Sequence, residues 1–299
     1  MRVGISTPVL VQTPGSSGSA WVRDAGIDEV ATIAQRADRL GYHHLTCSEH
    51  VAVPLSAEPI RGAVYWDPLA TLGFLAARTE RVLLVTNVLV LGYHHPLAIA
   101  KRYGTLDRVS GGRLVLGLGV GSLQEEFALL GAPFADRGAR ADDALAALRV
   151  AMSERVPSYH GPYYSFSGMV VDPHAVQAHV PFWIGGRTRL SLRRAVTYAE
   201  GWTPFALAPD QLRSILASVE LPEGFDVVLG PTTPFDPLGD ADGTRRGLDE
   251  LAALGTTVVN LTVRHDSLAH YLEQLEAFVA LGELDRPDVV PTSRTRGAP

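Results

Sequence analysis

Residues 96–122 read PLAIAKRYGTLDRVSGGRLVLGLGVGS. A helix with one apolar face covers 96–109 and stops at Ser110-Gly111-Gly112. The apolar run 113–118 follows as a buried strand and empties into Gly119-Val120-Gly121-Ser122. The stretch is one α/β unit, and it delivers to a strand end a glycine loop whose backbone can approach a ligand closely.

Working outward, the same unit recurs eight times. Strands are expected at 2–6, 44–48, 82–90, 113–118, 181–185, 201–204, 225–230 and 257–263, and helices at 28–40, 68–79, 96–109, 136–153, 190–199, 209–219, 243–254 and 268–281. In the first helix Val30, Ile33, Ala34, Ala37 and Leu40 share one face, and Gly41 stops it. Short apolar strands alternating with amphipathic helices specify a parallel sheet, and eight of them an α/β (β/α)8 TIM barrel. Residues 1–284 are expected to form one barrel domain. The tail 285–299, rich in Pro, Ser, Thr and Arg, is expected to be disordered. The stretches 12–20, 53–66 and 156–180 interrupt the alternation. The first two follow strands one and two, which places them over the C-terminal mouth, as lids or as ordinary surface loops.

Composition narrows the function classes. With 46% hydrophobic and 19% charged residues the 299-residue chain can bury a large core, and its net charge of -6 leaves no basic surplus for nucleic acid. The N-terminus lacks a basic leader followed by an apolar stretch, and no run of some 18 apolar residues occurs, so a cytoplasmic protein without a membrane segment is expected. Cys47 is the single cysteine, which excludes an internal disulfide, and it reads as a buried reduced thiol. No HExxH or equivalent spacing joins His43-His44, His50 and His94-His95, so no metal site is expected. The absence of GxSxG argues against a serine hydrolase. Lys101, the single lysine, lies on a helix, which argues against Schiff-base chemistry. An organic cofactor is the remaining source of chemistry.

Barrel logic selects residues at strand C-termini. Glu49-His50 is an acid beside an imidazole where strand two ends, and a histidine there can exchange protons near neutral pH or serve packing. Gly117-Leu118-Gly119-Val120-Gly121 lacks the GxGxxG spacing of a dinucleotide fingerprint; its glycines either admit a flat ring or an anionic tail or relieve barrel packing. Gly185-Gly186 ends strand five just before a helix, and Arg187 beside it suits an anionic group.

The block VTNVLVLGYHHPLAIAKRYGTLDRVSGGRLVLGLGVGSLQEEFALLGAPFADRGARADDALAALR (85–149), with TCSEHV (46–51), HGPYYSF (160–166), VPFWIGG (180–186) and AEGWTP (199–204), resembles the luciferase-like monooxygenase family. The motif order is most similar to its coenzyme F-420-dependent oxidoreductases. The resemblance runs to about Trp202 and implies a barrel whose mouth holds a flavin or deazaflavin that carries a hydride. It implies catalytic roles for His50 and Glu49, and a strand-three bulge at Asn87-Val88, often with a non-proline cis peptide, that supports the ring. Cofactor-binding positions follow at Gly119, Gly121, Ser122, Gly185, Gly186 and Arg187. Ser122 stands where the sugar-phosphate dehydrogenases of this family carry a glutamate, and their substrate-holding lysines are missing, which argues against that substrate. Thr7, Tyr65, Trp66 and His265 are candidates for the substrate wall. The function expected is hydride transfer between F-420 (8-hydroxy-5-deazaflavin) and a small-molecule organic substrate. The alternatives are a monooxygenase using reduced FMN and O2, and a non-catalytic flavin-binding barrel. A cofactor-recycling reductase or dehydrogenase and a second copy of the chain, as a homodimer, are the expected partners.

Overall fold

The computed structural model describes residues 1–12, 20–282 and 284. Most of the 12–20 stretch and the tail from Asp285 lie outside the described residues. Eight strands close into a barrel: β1 (Arg2–Ser6), β2 (His44–Cys47), β3 (Leu83–Val90), β4 (Leu114–Gly119), β5 (Phe182–Gly185), β6 (Gly201–Thr203), β7 (Asp226–Leu229) and β8 (Val258–Leu261). Every neighbouring pair is parallel and consecutive in sequence, and β1 closes on β8 with Arg2 opposite Val258. The (β/α)8 expectation is met, with ends shifted by a few residues at most.

The eight outer helices are α1 (Ile27–Leu40), α2 (Pro68–Ala76), α3 (Pro96–Ser110), α4 (Arg137–Ser153), α5 (Arg189–Tyr198), α6 (Pro209–Leu216), α7 (Ala241–Ala253) and α8 (Leu268–Ala280). Their apolar stripes meet the outward faces of the strands. Ile5, Leu45, Leu84, Leu116, Ile184 and Val259 pack with Ile33, Leu72, Ile99, Leu145, Leu192 and Leu275 in one buried shell. Each such side chain contributes about 1.5–3 kcal/mol on burial. Inside the barrel Val85, Val115, Trp183, Val228 and Val258 form a second, smaller core. His44 also lies within and stacks edge-on against Trp183 at 5.3 Å. Gly4 makes the room, because a Cβ there would come 2.1 Å from the imidazole.

The α3–β4 segment divides its work between the two ends of the barrel. At its N-terminal face Asp107 accepts hydrogen bonds from the amides of Val176 and Gln177 and from the Gln177 side chain (2.8, 3.0 and 2.7 Å), clamping the long 156–180 connection. Arg113 donates to the carbonyls of Ala76, Thr79, Val82 and Ser110, which closes the C-terminal end of α2. Much of the motif that opened the sequence reading is therefore structural. Its last residues alone reach the mouth.

Two excursions lie above the C-terminal ends of the strands. After β1, Val11–Gln12 pairs antiparallel with Val64–Tyr65 from the loop after β2. The Trp66 amide donates to the Leu10 carbonyl at 3.1 Å. The two loops expected over the mouth are thus hydrogen-bonded to each other. Beneath them Cys47 is fully buried, and burial pushes its thiol up to about 12, as expected of an inert cysteine.

Candidate active site

β2 ends at Cys47, and the chain leaves the strand through Ser48, Glu49 and His50. Glu49 turns inward, only 7% exposed, and accepts from the Val90 amide and from His94 Nε2, both at 2.7 Å. His50 turns the other way, and its side chain is 16% exposed. Its Nδ1 lies 2.8 Å from Oε2 of Glu126, and its ring meets the edge of Tyr65 at 4.5 Å. The two neighbours in sequence therefore serve two different carboxylate–imidazole pairs, not a shared one.

Glu126 is placed by a short helix (Gln124–Leu129) directly after the glycine loop. It is 1% exposed and accepts four hydrogen bonds. Val51 and Ala52 amides reach Oε1 at 2.6 and 3.2 Å, while the Tyr93 hydroxyl at 2.6 Å and His50 meet Oε2. Burial alone raises a carboxyl, but these contacts from Tyr93, His50, Val51 and Ala52 outweigh it and hold Glu126 below its ordinary value. Burial and the same carboxylate push the Tyr93 hydroxyl up, so it stays protonated and donates.

The strand-three bulge falls where the resemblance put it. The β3–β4 register shifts between Thr86 and Leu89, and the Asn87–Val88 peptide is cis. Ser48 Oγ donates to the Asn87 carbonyl at 2.5 Å, the Glu49 amide donates to the Val88 carbonyl at 3.3 Å, and Thr203 Oγ1 donates to Asn87 Oδ1 at 3.3 Å. The flanking glycines seat the bulge. A Cβ at Gly119 would come 2.5 Å from one Val88 methyl, and a Cβ at Gly185 would come 2.7 Å from the other. Of the two readings of these glycines, the packing one accounts for the space beside their α-carbons.

Gly121 and Gly186 have φ of +83° and +144°, and Cβ atoms there would meet Phe127 and Ser191 respectively. Ser122 is exposed and accepts from Arg61 Nη2 at 3.2 Å, which ties the glycine loop to the loop carrying Tyr65. Tyr65 in turn donates to the Arg61 carbonyl at 2.9 Å. Arg187 is exposed, stands 5.8 Å from the Phe205 ring, and lines an open groove of about 410 Å3 with Leu207, Gln211 and Ser214.

The four substrate-wall candidates separate. Tyr65 stands against His50. Trp66 is partly buried against the core, and its carbonyl faces the Cys47 thiol. Thr7, at the mouth end of β1, is 2% exposed, and its hydroxyl has no hydrogen-bond partner among the described residues. His265 packs with Trp21 and Tyr271, and Trp21 Nε1 donates to its Nδ1 at 3.2 Å. Residues absent from the sequence-based site, Glu126, Tyr93, His94 and Ser48, complete it, together with Thr203 at the mouth end of β6. Helix phase carried the one available signal: the acid that precedes buried Phe127 is buried, while Glu125 is exposed.

The model of the luciferase-like monooxygenase family matches residues 1–225. The chain belongs to that family. An uncharacterized protein of Mycobacterium tuberculosis is 28% identical over 278 residues, 87% of this chain and 96% of its own length. An F420-dependent glucose-6-phosphate dehydrogenase of Microbacterium testaceum is 31% identical over 229 residues, 76% of this chain and 63% of that protein. Among solved structures, the monooxygenase RslO1 of Streptomyces bottropensis superposes with a TM-score of 0.74 at 21% identity, covering 94% and 98% of the two chains. The coenzyme F420 dependent tetrahydromethanopterin reductase of Methanopyrus kandleri does so at 0.70 and 16% identity, covering 94% and 99%. These two likenesses establish the luciferase-like barrel. Among the described residues no helix is long and apolar enough to cross a membrane.

Proposed function

We propose that the chain is an F-420-dependent oxidoreductase that moves a hydride between the deazaflavin and a small organic substrate at the barrel mouth. The observation that carries this reading is the joining of the Asn87-Val88 bulge to His50. Ser48 and the Glu49 amide hold the bulge, and the next residue is the carboxylate-bound, partly exposed imidazole. The F420-dependent relative supports the choice of cofactor. Ser122 and the single lysine speak against a sugar phosphate as the substrate.

The residues at the mouth fit a flat polar ring. The orphaned Thr7 hydroxyl is a buried donor in want of an acceptor, Val88 offers an apolar support, and Arg187 stands ready for an anionic tail. When bound, the deazaflavin supplies the hydride chemistry. The protein contributes position: the bulge would support the ring, the paired loops would restrict water, and His50 would handle the proton that accompanies the hydride.

Absorbance and fluorescence titrations with F-420 and with FMN test the reading. Saturable F-420 binding at micromolar concentration, with FMN at least tenfold weaker, is expected. Tight FMN binding without F-420 binding would replace it with the reduced-flavin monooxygenase.

A further inference from the structure

We infer that Glu126 is the positioning residue of His50: it fixes the imidazole as the Nδ1–H tautomer, so that Nε2 is the atom that takes up and releases the proton at the mouth. The inference deepens the reading of this site as an oxidoreductase and rests on it for its role in turnover.

The argument begins with the inventory of hydrogen bonds on one carboxylate. Val51 and Ala52 present backbone amides to Oε1, which can only donate. Tyr93 and His50 both face Oε2. An ionised carboxylate is an acceptor alone, so Nδ1 has to carry hydrogen. The direction of the Glu126 shift agrees, because those contacts favour its charged form. Nε2 of His50 makes no hydrogen bond to any described residue, and the side chain retains 16% exposure. One carboxylate thus fixes the ring of residue 50 and the backbone of residues 51 and 52 together, while Tyr65 blocks one side of the imidazole.

Proton balance follows. When substrate is reduced, protonated His50 gives the Nε2 proton to the substrate atom that becomes N–H or O–H. When substrate is oxidised, neutral His50 accepts that proton at the Nε2 lone pair. In both directions Nδ1 keeps its hydrogen and Glu126 its charge. No electron passes through either side chain.

The isosteric change Glu126→Gln separates this role from packing. Its amide oxygen has to face Val51 and Ala52, whose N–H groups cannot become acceptors. Its NH2 group is therefore directed at Tyr93 and His50, both of which can accept. The expected result is a switch of His50 to the Nε2–H tautomer. Nitrogen-15 NMR of histidine-labelled protein without any cofactor reads this directly, with the resonance assigned by loss in His50→Gln. Wild type is expected to show Nδ1–H, and Glu126→Gln to show Nε2–H. Glu126→Asp and Tyr93→Phe, which keep a carboxylate, are expected to retain Nδ1–H.

In turnover assays Glu126→Gln is expected to lower kcat by roughly 10- to 10⁴-fold, the span seen when an orienting carboxylate is lost. The cofactor KM should stay within about twofold. An Nε2–H tautomer in wild type overturns the inference. So does a Glu126→Gln protein with unchanged tautomer, or equal kcat losses in Glu126→Gln and Tyr93→Phe without a tautomer change. The NMR result stands whichever cofactor binds, so failure of the F-420 reading is told apart from failure of the Glu126 role.

Discussion

β2 opens on one histidine and the segment that leaves it carries another, and the two have opposite fates. His44, at its start, is fully buried, stacks on Trp183 in space vacated by Gly4, and has no hydrogen bond to Nε2 from any described residue. Burial, with the nearby His43 and Arg2, holds it well below the usual histidine value, so it is neutral. His50, six residues on, is partly exposed and bound to a buried carboxylate. The strand and its exit supply the same side chain twice. Burial of one and a facing acid at the other decide which is packing and which is chemistry.

That contrast can be broken in order of expected effect. His50→Ala should reduce turnover with the cofactor that binds by about 10²–10⁴-fold, the usual share of general acid–base catalysis, while changing the melting temperature little. Steady-state kinetics beside a thermal melt measures both. Loss of stability without loss of turnover would place His50 with His44. At the other end Gly4→Ala drives a Cβ into the His44 ring and should cost about 1–3 kcal/mol of stability, read by urea unfolding, with the mouth intact. Adding His44→Ala to it should return part of the loss, since the two changes share one space.

A third effect is on pH dependence at the barrel floor. Burial, then Arg2, lowers His43 from 6.5 to about 4. The unfolded chain takes up that proton below about pH 6.5 and the folded one does not until about pH 4, so stability present above 6.5 falls as the pH drops through this window. Melting temperatures across pH 4–7 should show the decline, and His43→Gln should make it shallower, with the remaining slope from His44, which burial also holds low. An unchanged slope would show that other groups set the acid limb.

What the sequence disclosed follows from the range of the signals. The eightfold alternation is local periodicity, and each strand end could be located to within a residue or two. So Glu49, His50 and the Asn87-Val88 bulge were placed correctly at the rim. Which side chains meet across the rim depends on loops packing together, and that left Glu126 and His94 unseen. Glu126 lies 76 residues from His50, on a six-residue helix whose phase separates it from Glu125 but does not name its partner. The glycines were legible as close approaches but not as approaches to what: Val88, Phe127 and Ser191 occupy the space that a ligand was expected to need. Asp107 and Arg113 were read within a cofactor motif, yet their polar groups hold the far end of the barrel.

Val88 wedged between Gly119 and Gly185 also bears on how this protein can vary over generations. A side chain gained on β4 or β5 collides with a methyl on β3, and a larger residue at 88 collides with both neighbours. Single substitutions at any of the three sites meet a barrier that compensated pairs or triples avoid. For a lineage exploring new substrates, three distant codons drift as one.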